Sequence, residues 1–225
     1  MKYNVILADL DDTLFNFSAS SRQALRDTFG AMGLPGALAR TEEFLPLNQR
    51  FWERFERGEI AKNELCVERF RAFFALTGEK ADPAEANGIY GDRLWRHRNF
   101  MPGCETLLDR LRPACEVYVI TNGTTDSQKR RLRASGLEDR FDGVFISEEM
   151  GCRKPEKRFF DLIFREIGEE KRRRAIVLGD SLTSDMQGGR NAGLPTCLYG
   201  PREKADCRCD YVVEDLLDFP TLIGA

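Results

Sequence analysis

The chain has 225 residues, of which 42% are hydrophobic and 32% charged, so it is long enough to bury a sizeable core and has an ordinary globular composition. Its net charge of −3 gives no indication of a nucleic-acid partner. Its seven cysteines lack the spacing of a disulfide framework, which favours a reducing cytosol, and we expect a cytoplasmic protein.

Short apolar runs predict buried β-strands along the chain. The first covers residues 3–8 and ends at acidic residues, too early for a signal peptide or a membrane span. Later runs predict strands at residues 117–120, 175–178 and 196–199, with a weaker one at 144–146. Helical patterns occur at residues 105–111, 127–134, 159–167 and 183–192. This alternation predicts an α/β fold with a doubly wound parallel sheet.

Residues 18–96 interrupt the alternation, since they contain no run typical of a strand. Their helical patterns cover residues 20–32, 42–57, 62–76 and 83–96. A helical stretch of this length is too long for an ordinary crossover connection. We therefore predict a catalytic core of residues 1–16 and 97–225 and an all-helical cap of residues 17–96. We expect the cap over the carboxyl end of the sheet, where doubly wound folds bind ligands.

Polar residues follow the predicted strands. In chain order they are Asp9, Asp11, Thr121, Asn122, Lys154, Asp180 and Asp185. Because the carboxyl ends of parallel strands share one edge, these side chains are expected to converge. Acids in one cleft repel one another unless a cation lies among them, and all-oxygen ligands favour Mg²⁺. Lys154 and Thr121 would supply donors for phosphate oxygens.

Asp9 and Asp11 are two residues apart at a strand end, so both can approach one phosphorus atom if the chain turns after Leu10. One carboxylate can attack while the other transfers a proton, and aspartyl phosphates are established intermediates. Acids after a strand also occur in solvated turns, and Asp185 would also complement a helix dipole.

These motifs, in this order, resemble those of the haloacid dehalogenase (HAD) superfamily, whose core is Rossmann-like. They are DLDDT at residues 9–13, TNG at 121–123, Lys154 before a proline, and GDSLTSD at 179–185. The resemblance implies that Asp9 is the nucleophile and that Asp11 is the general acid and base. It implies that Thr121, Asn122 and Lys154 bind the phosphoryl group.

The same resemblance implies a Mg²⁺ cofactor, for which Mn²⁺ or Co²⁺ would substitute. Its ligands would be the Asp9 carboxylate, the Asp11 backbone carbonyl and Asp180. Asp185 would act on a metal-bound water or on Lys154. Because the family's dehalogenases lack an acid at the position of Asp11, the resemblance favours phosphate-ester chemistry.

The segment NQRFWERFERGEIAKNEL at residues 48–65 resembles the cap of the YjjG-like pyrimidine 5′-nucleotidases. The implied substrates are nucleoside monophosphates such as dUMP, UMP and dTMP. Candidate contacts to base or sugar are Phe15, Asn16, Phe17, Asn48 and Trp52. Aromatic residues at helical spacing are equally typical of a packed core.

Two other functions remain open. The chain is alternatively a sugar-phosphate phosphatase or a phosphoglucomutase-like enzyme of the same fold, or a catalytically silent binding protein on this scaffold. The intact motif residues argue against the silent protein. We expect a small phosphate ester as partner, no nucleic acid or membrane, and a monomer or weak homodimer.

Overall fold

The computed structural model describes residues 2–225 and divides the chain into two compact units. One contains the chain up to Asn16 together with Phe100–Ala225, and the other is Phe17–Asn99. The helical unit includes residues 97–99, three residues more than predicted from the sequence. The reason is local, since His97 Nε2 lies 2.8 Å from Asp27 Oδ2 and Asn99 Nδ2 donates to Gln23 Oε1 at 2.8 Å.

The unit Phe17–Asn99 is built from helices. They are α1 (Phe17–Ala31), α2 (Pro35–Ala39), α3 (Phe44–Glu56), α4 (Lys62–Thr77) and α5 (Pro83–Leu94). Apolar residues at helical spacing bury one face of each long helix, and a cluster of phenylalanines fills the centre. The Asp82 side chain caps α5 by accepting from Ala84 N, and Pro83 occupies the first turn. Helix α2 was not predicted, because its five residues are too few to show a period.

The other unit contains a six-stranded sheet in the order β3-β2-β1-β4-β5-β6. The strands are β1 (Val5–Ala8), β2 (Glu116–Thr121), β3 (Gly143–Ile146), β4 (Ala175–Gly179), β5 (Thr196–Tyr199) and β6 (Tyr211–Val213). Every neighbouring pair is parallel. The predicted doubly wound α/β class is confirmed. Strand β6 was not predicted, because three residues give too short an apolar run.

Helices cover both faces of the sheet. They are α6 (Cys104–Leu111), α7 (Thr125–Ser135), α8 (Ser147–Met150), α9 (Lys157–Ile167), α10 (Gln187–Asn191) and α11 (Phe219–Ile223). Side chains alternate along β1, so that Ile6 and Ala8 join the core beneath α6 and α11. Val5 and Leu7 join the opposite core, which the phenylalanines of α9 fill. Across residues 2–225, no helix has the length and apolar character needed to span a bilayer.

Candidate active site

The first loop of the site follows β1, at the point where the chain order of the strands reverses. Strand β1 is flanked by β2 on one side and β4 on the other, which is the switch point where such sheets bind ligands. The Asp9 N–H donates to Leu178 O at 2.8 Å and extends the pairing of β1 with β4. The loop then closes on itself, because Phe15 N donates to Leu10 O and Asp12 N donates to Phe15 O, both at 2.7 Å.

Lys154 is the buried cation of the site, with 1% of its surface exposed. Its ammonium donates to Asp9 Oδ1 at 2.5 Å, Asp185 Oδ1 at 2.6 Å and Ile120 O at 3.0 Å. An ammonium has three protons, so all of them are used. Lys154 therefore joins the acid after β1 to the acid after β4.

The charge states of this cluster follow from burial and neighbours. Burial raises the pKa of Asp9 well above its usual value, and Asp185 and Asp180 add to the rise while Lys154 opposes it. Burial disfavours the charge on Lys154, but Asp185 and Asp9 outweigh burial and raise its pKa. The lysine stays protonated, and the carboxylates around it are short of positive charge.

Asn122 fixes the backbone of Lys154. Its Nδ2 donates to Lys154 O at 2.9 Å, and its Oδ1 accepts from Lys154 N at 3.0 Å. The amide side chain therefore completes a two-bond pair, and the structure shows a positioning contact rather than an open phosphate donor. A phosphate contact from Asn122 would have to come from its backbone N–H.

Asp180 and Asp185 follow β4. The Asp185 carboxylate is fully buried and accepts from Ser181 N at 3.1 Å as well as from Lys154. Gly179 is required beside it, because a Cβ there would lie 2.3 Å from Asp185 Oδ2. The predicted single helix at residues 183–192 is wrong in detail, since a π-helical turn, Leu182–Met186, precedes α10. That turn places the Asp185 side chain against the start of its own loop.

Three carboxylates form a group suited to a hard cation. One oxygen from each of Asp9, Asp180 and Asp185 lies within 4.8 Å of the others. Burial, with help from Asp185, raises the pKa of Asp180 to about 7. Lys204 partly offsets this charge, with its Nζ 3.7 Å from Asp180 Oδ2. An all-oxygen donor set that is short of positive charge fits Mg²⁺.

Asp11 lies at the edge of this group and its carboxylate is directed to α7. Arg131 Nη1 donates to Asp11 Oδ1 at 2.5 Å, and Gln128 Nε2 donates to Asp11 Oδ2 at 2.6 Å. Gln128 Nε2 also donates to Thr121 Oγ1 at 2.9 Å. The sequence reasoning missed Gln128 and Arg131. A signal was present, because they share an i, i+3, i+4 spacing with the buried Leu132.

Two of the five candidate substrate contacts are packing residues. Phe15 is 4% exposed and packs edge to face on Phe100, with ring centroids 5.3 Å apart. Asn48 is 4% exposed and accepts from Arg69 Nη1 at 2.8 Å inside the helical unit. These contacts favour the packing interpretation of Phe15 and Asn48 over a contact to base or sugar.

The other three candidates have partly exposed side chains. Phe17 packs on the helical core, and Trp52 packs edge to face on Phe55 at 5.8 Å. Asn16 is half-buried at the end of the loop after β1. Their partial exposure keeps all three as candidate contacts.

Comparisons with known proteins agree with the motifs. A sequence model of the haloacid dehalogenase-like hydrolases matches residues 3–193. The pyrimidine 5′-nucleotidase PynA of Streptococcus pneumoniae is 35% identical over 89% of this chain and 85% of its own. The pyrimidine 5′-nucleotidase YjjG of Escherichia coli is 32% identical over 88% and 86%. The crystal structure of the HAD-hydrolase YfnB from Bacillus subtilis, described as bound to magnesium with interdomain movement, aligns with a TM-score of 0.93 at 32% identity and covers 100% of both chains.

Proposed function

This chain belongs to the haloacid dehalogenase-like hydrolases, and we propose that it is a Mg²⁺-dependent phosphomonoester hydrolase acting through an aspartyl phosphate on Asp9. The observation that carries the proposal is the buried Asp9–Lys154–Asp185 chain of contacts at the switch point of the sheet. It holds a carboxylate at the end of β1 beside a permanent positive charge. In such a pair the ammonium can bind a phosphoryl group while the carboxylate attacks its phosphorus from a fixed position.

The residues have separate roles in the proposed reaction. An Asp9 oxygen forms the new bond to phosphorus while the bond to the leaving oxygen breaks. Asp11 gives its proton to that leaving oxygen and then takes one from the water that hydrolyses the intermediate. Thr121 contacts a phosphoryl oxygen, with help from the Asn122 backbone N–H. Lys154 exchanges its hydrogen bond to Asp9 Oδ1 for one to a phosphoryl oxygen when the substrate binds.

The acid cluster is the proposed metal site. Asp9 and Asp180 would bind Mg²⁺ with the Asp11 backbone carbonyl, and Asp185 would act on a water of the ion or through Lys154. When bound, the ion would neutralise charge on the phosphoryl oxygens. Mn²⁺ and Co²⁺ have similar oxygen preferences and are proposed substitutes.

The proposed substrates are pyrimidine nucleoside monophosphates such as dUMP, UMP and dTMP. Support comes from the names of the similar PynA and YjjG and from the resemblance of residues 48–65. We propose that the helical unit is the specificity cap, with Asn16, Phe17 and Trp52 as candidate contacts. The seven free cysteines are consistent with the proposed reducing, cytoplasmic location.

We expect phosphate release to be fastest from pyrimidine monophosphates. The assay measures released phosphate with Mg²⁺ from dUMP, UMP, dTMP, CMP, AMP, GMP and several sugar phosphates, with Asp9→Asn protein as background. A preference for a sugar phosphate would keep the chemistry and contradict the nucleotidase assignment. Isomerisation of a sugar phosphate with little release would indicate a mutase, and no turnover of any kind would indicate a silent protein.

We expect metal-free stability to fall as pH rises from about 4 to about 7 through the Asp180 contribution. Its pKa is raised from 3.8 to about 7, so over this range the folded protein keeps a proton that the unfolded chain has lost. Asp180→Asn removes that contribution. In EDTA, the Tm of Asp180→Asn relative to wild type should therefore increase from pH 5 to pH 8, by several degrees.

Added Mg²⁺ should raise the Tm of wild type more at pH 8 than at pH 5, because ligand carboxylates must lose their protons. Asp139→Asn is the matched control, since Asp139 is exposed and the substitution makes the same carboxyl-to-amide exchange away from the acid cluster. A Tm response to Mg²⁺ that is equal in wild type and Asp180→Asn would contradict the assigned ligand.

A further inference from the structure

Two buried polar side chains of α7 donate hydrogen bonds to Asp11, the acid two residues after the proposed nucleophile Asp9. Gln128 and Arg131 lie one helical turn apart, and they are only 1% and 4% exposed. Burying an amide or a guanidinium is unfavourable unless it is hydrogen bonded, and a charge also needs a counter-charge. Asp11 supplies the hydrogen-bond acceptor and the counter-charge, so these two side chains of α7 belong to the site.

Gln128 connects Asp11 to the loop after β2. Its Oε1 accepts from Arg131 Nη1 at 2.9 Å, which fixes the orientation of the amide. Its Nε2 then donates to Asp11 Oδ2 at 2.6 Å and to Thr121 Oγ1 at 2.9 Å. Gly123 makes room for this arrangement, because a Cβ there would lie 2.1 Å from Gln128 Nε2.

Arg131 holds the other oxygen of the same carboxylate. Its guanidinium is 2.5 Å from Asp11 Oδ1 and lies over the Phe15 ring, with 5.4 Å between the guanidinium carbon and the ring centroid. Phe15 O also accepts from Asp12 N, so the ring and the acid belong to one closed loop. Arg131 is thus held between the carboxylate and the aromatic face, and the planar guanidinium suits both contacts.

We propose that Gln128 and Arg131 are positioning residues that orient the Asp11 carboxyl for proton transfer, and that Gln128 links this orientation to Thr121. The inference rests on the proposed function. Each carboxyl oxygen of Asp11 has two lone pairs. One lone pair on each oxygen accepts a hydrogen bond from α7, and the second lone pair is left to bind the proton that is transferred. With both oxygens held by separate donors, the carboxyl has one rotamer.

The two steps of the reaction require that orientation in different ways. In the first, the bond from Asp9 to phosphorus forms, the bond to the leaving oxygen breaks, and the Asp11 proton moves to that oxygen. In the second, the oxygen of water bonds to phosphorus, the bond to Asp9 breaks, and Asp11 takes the proton of the water. A leaving group that departs as a stable anion does not need the Asp11 proton, so the first step no longer depends on Asp11. The second step still depends on Asp11, because the attacking water must lose a proton.

The test compares Gln128→Leu and Arg131→Met with wild type in rapid-mixing experiments on UMP and on 4-nitrophenyl phosphate. We expect formation of the phosphoenzyme from UMP to slow about 10²-fold, the range of general acid catalysis. Its formation from 4-nitrophenyl phosphate should change less than about threefold, and its slower hydrolysis should give a burst of 4-nitrophenol. Arg131→Lys should restore part of the rate, because it keeps the charge without the planar fork.

Arg133→Met is the matched control on the same helix, since Arg133 is 69% exposed, and it should behave as wild type. Equal slowing with both esters and no burst, or rates that match Arg133→Met, would overturn the inference while leaving the hydrolase intact. If wild type hydrolyses no ester, the proposed function fails instead. A crystal structure of Gln128→Leu then decides the positioning role, which an unchanged Asp11 side chain would contradict.

Discussion

Asp9→Asn is expected to abolish turnover, with kcat falling about 10⁴-fold or more, as in other enzymes that lose a covalent nucleophile. The amide has nearly the shape of the carboxylate but no anionic oxygen, so it cannot form the aspartyl phosphate. Its oxygen can still accept from Lys154, which is 2.5 Å from Asp9 Oδ1. The measurement is steady-state phosphate release, with mass spectrometry of acid-quenched wild type to locate the phosphoryl group.

Loss of activity through misfolding would have a different signature. Burial, with Asp185, Asp180 and Asp11, raises the pKa of Asp9 and outweighs the opposing effect of Lys154. Lys154 keeps Asp185 as its counter-charge, so an uncharged residue at position 9 should not lower the metal-free Tm. Asp139→Asn, at an exposed position, should retain full activity. Phosphate release by Asp9→Asn at the wild-type rate, or a phosphoryl group on another residue, would contradict the proposed mechanism.

The sheet and its polar loops were predictable because their signals are local. The strand at residues 196–199 coincides with β5, and the weaker one at 144–146 lies within β3. Each apolar run is followed directly by the residues that the site uses, so chain order alone places them at one edge. The parallel pairing of β1 with both β2 and β4 then brings the loops together.

The missed features depend on contacts between residues far apart in sequence. Arg131 lies in a run of basic residues, a pattern that is typical of a solvated helix face. Its burial is explained by its pairing with Asp11, 120 residues earlier in the chain. Asn48 is a candidate ligand contact through the resemblance of residues 48–65, whereas in the structure its Oδ1 accepts from Arg69 on the next long helix. Such pairs become visible only when the fold brings their helices and loops together.

Lys154→Met is the second substitution expected to have a large effect, on both stability and activity. The buried ammonium lies 2.5 Å from Asp9 and 2.6 Å from Asp185, and methionine would leave both carboxylates without it. Breaking a buried ion pair by removing one partner costs about 3–5 kcal/mol. Loss of its charge next to the phosphoryl group should also lower kcat about 10²–10³-fold.

A double substitution separates the effect of Lys154→Met on the free energy of unfolding from its effect on kcat. Asp185→Asn combined with Lys154→Met removes one of the two unpaired charges, so urea unfolding should show a smaller loss than the sum of the single variants. Activity should stay low, because no cation returns to the phosphoryl site. Lys157→Met, at a side chain 59% exposed, should change the free energy of unfolding by less than about 0.5 kcal/mol. If the losses in the free energy of unfolding were additive in the double variant, Lys154 would not stabilise the site through Asp185. The proposed stabilising role of the Asp9–Lys154–Asp185 contacts would then be wrong.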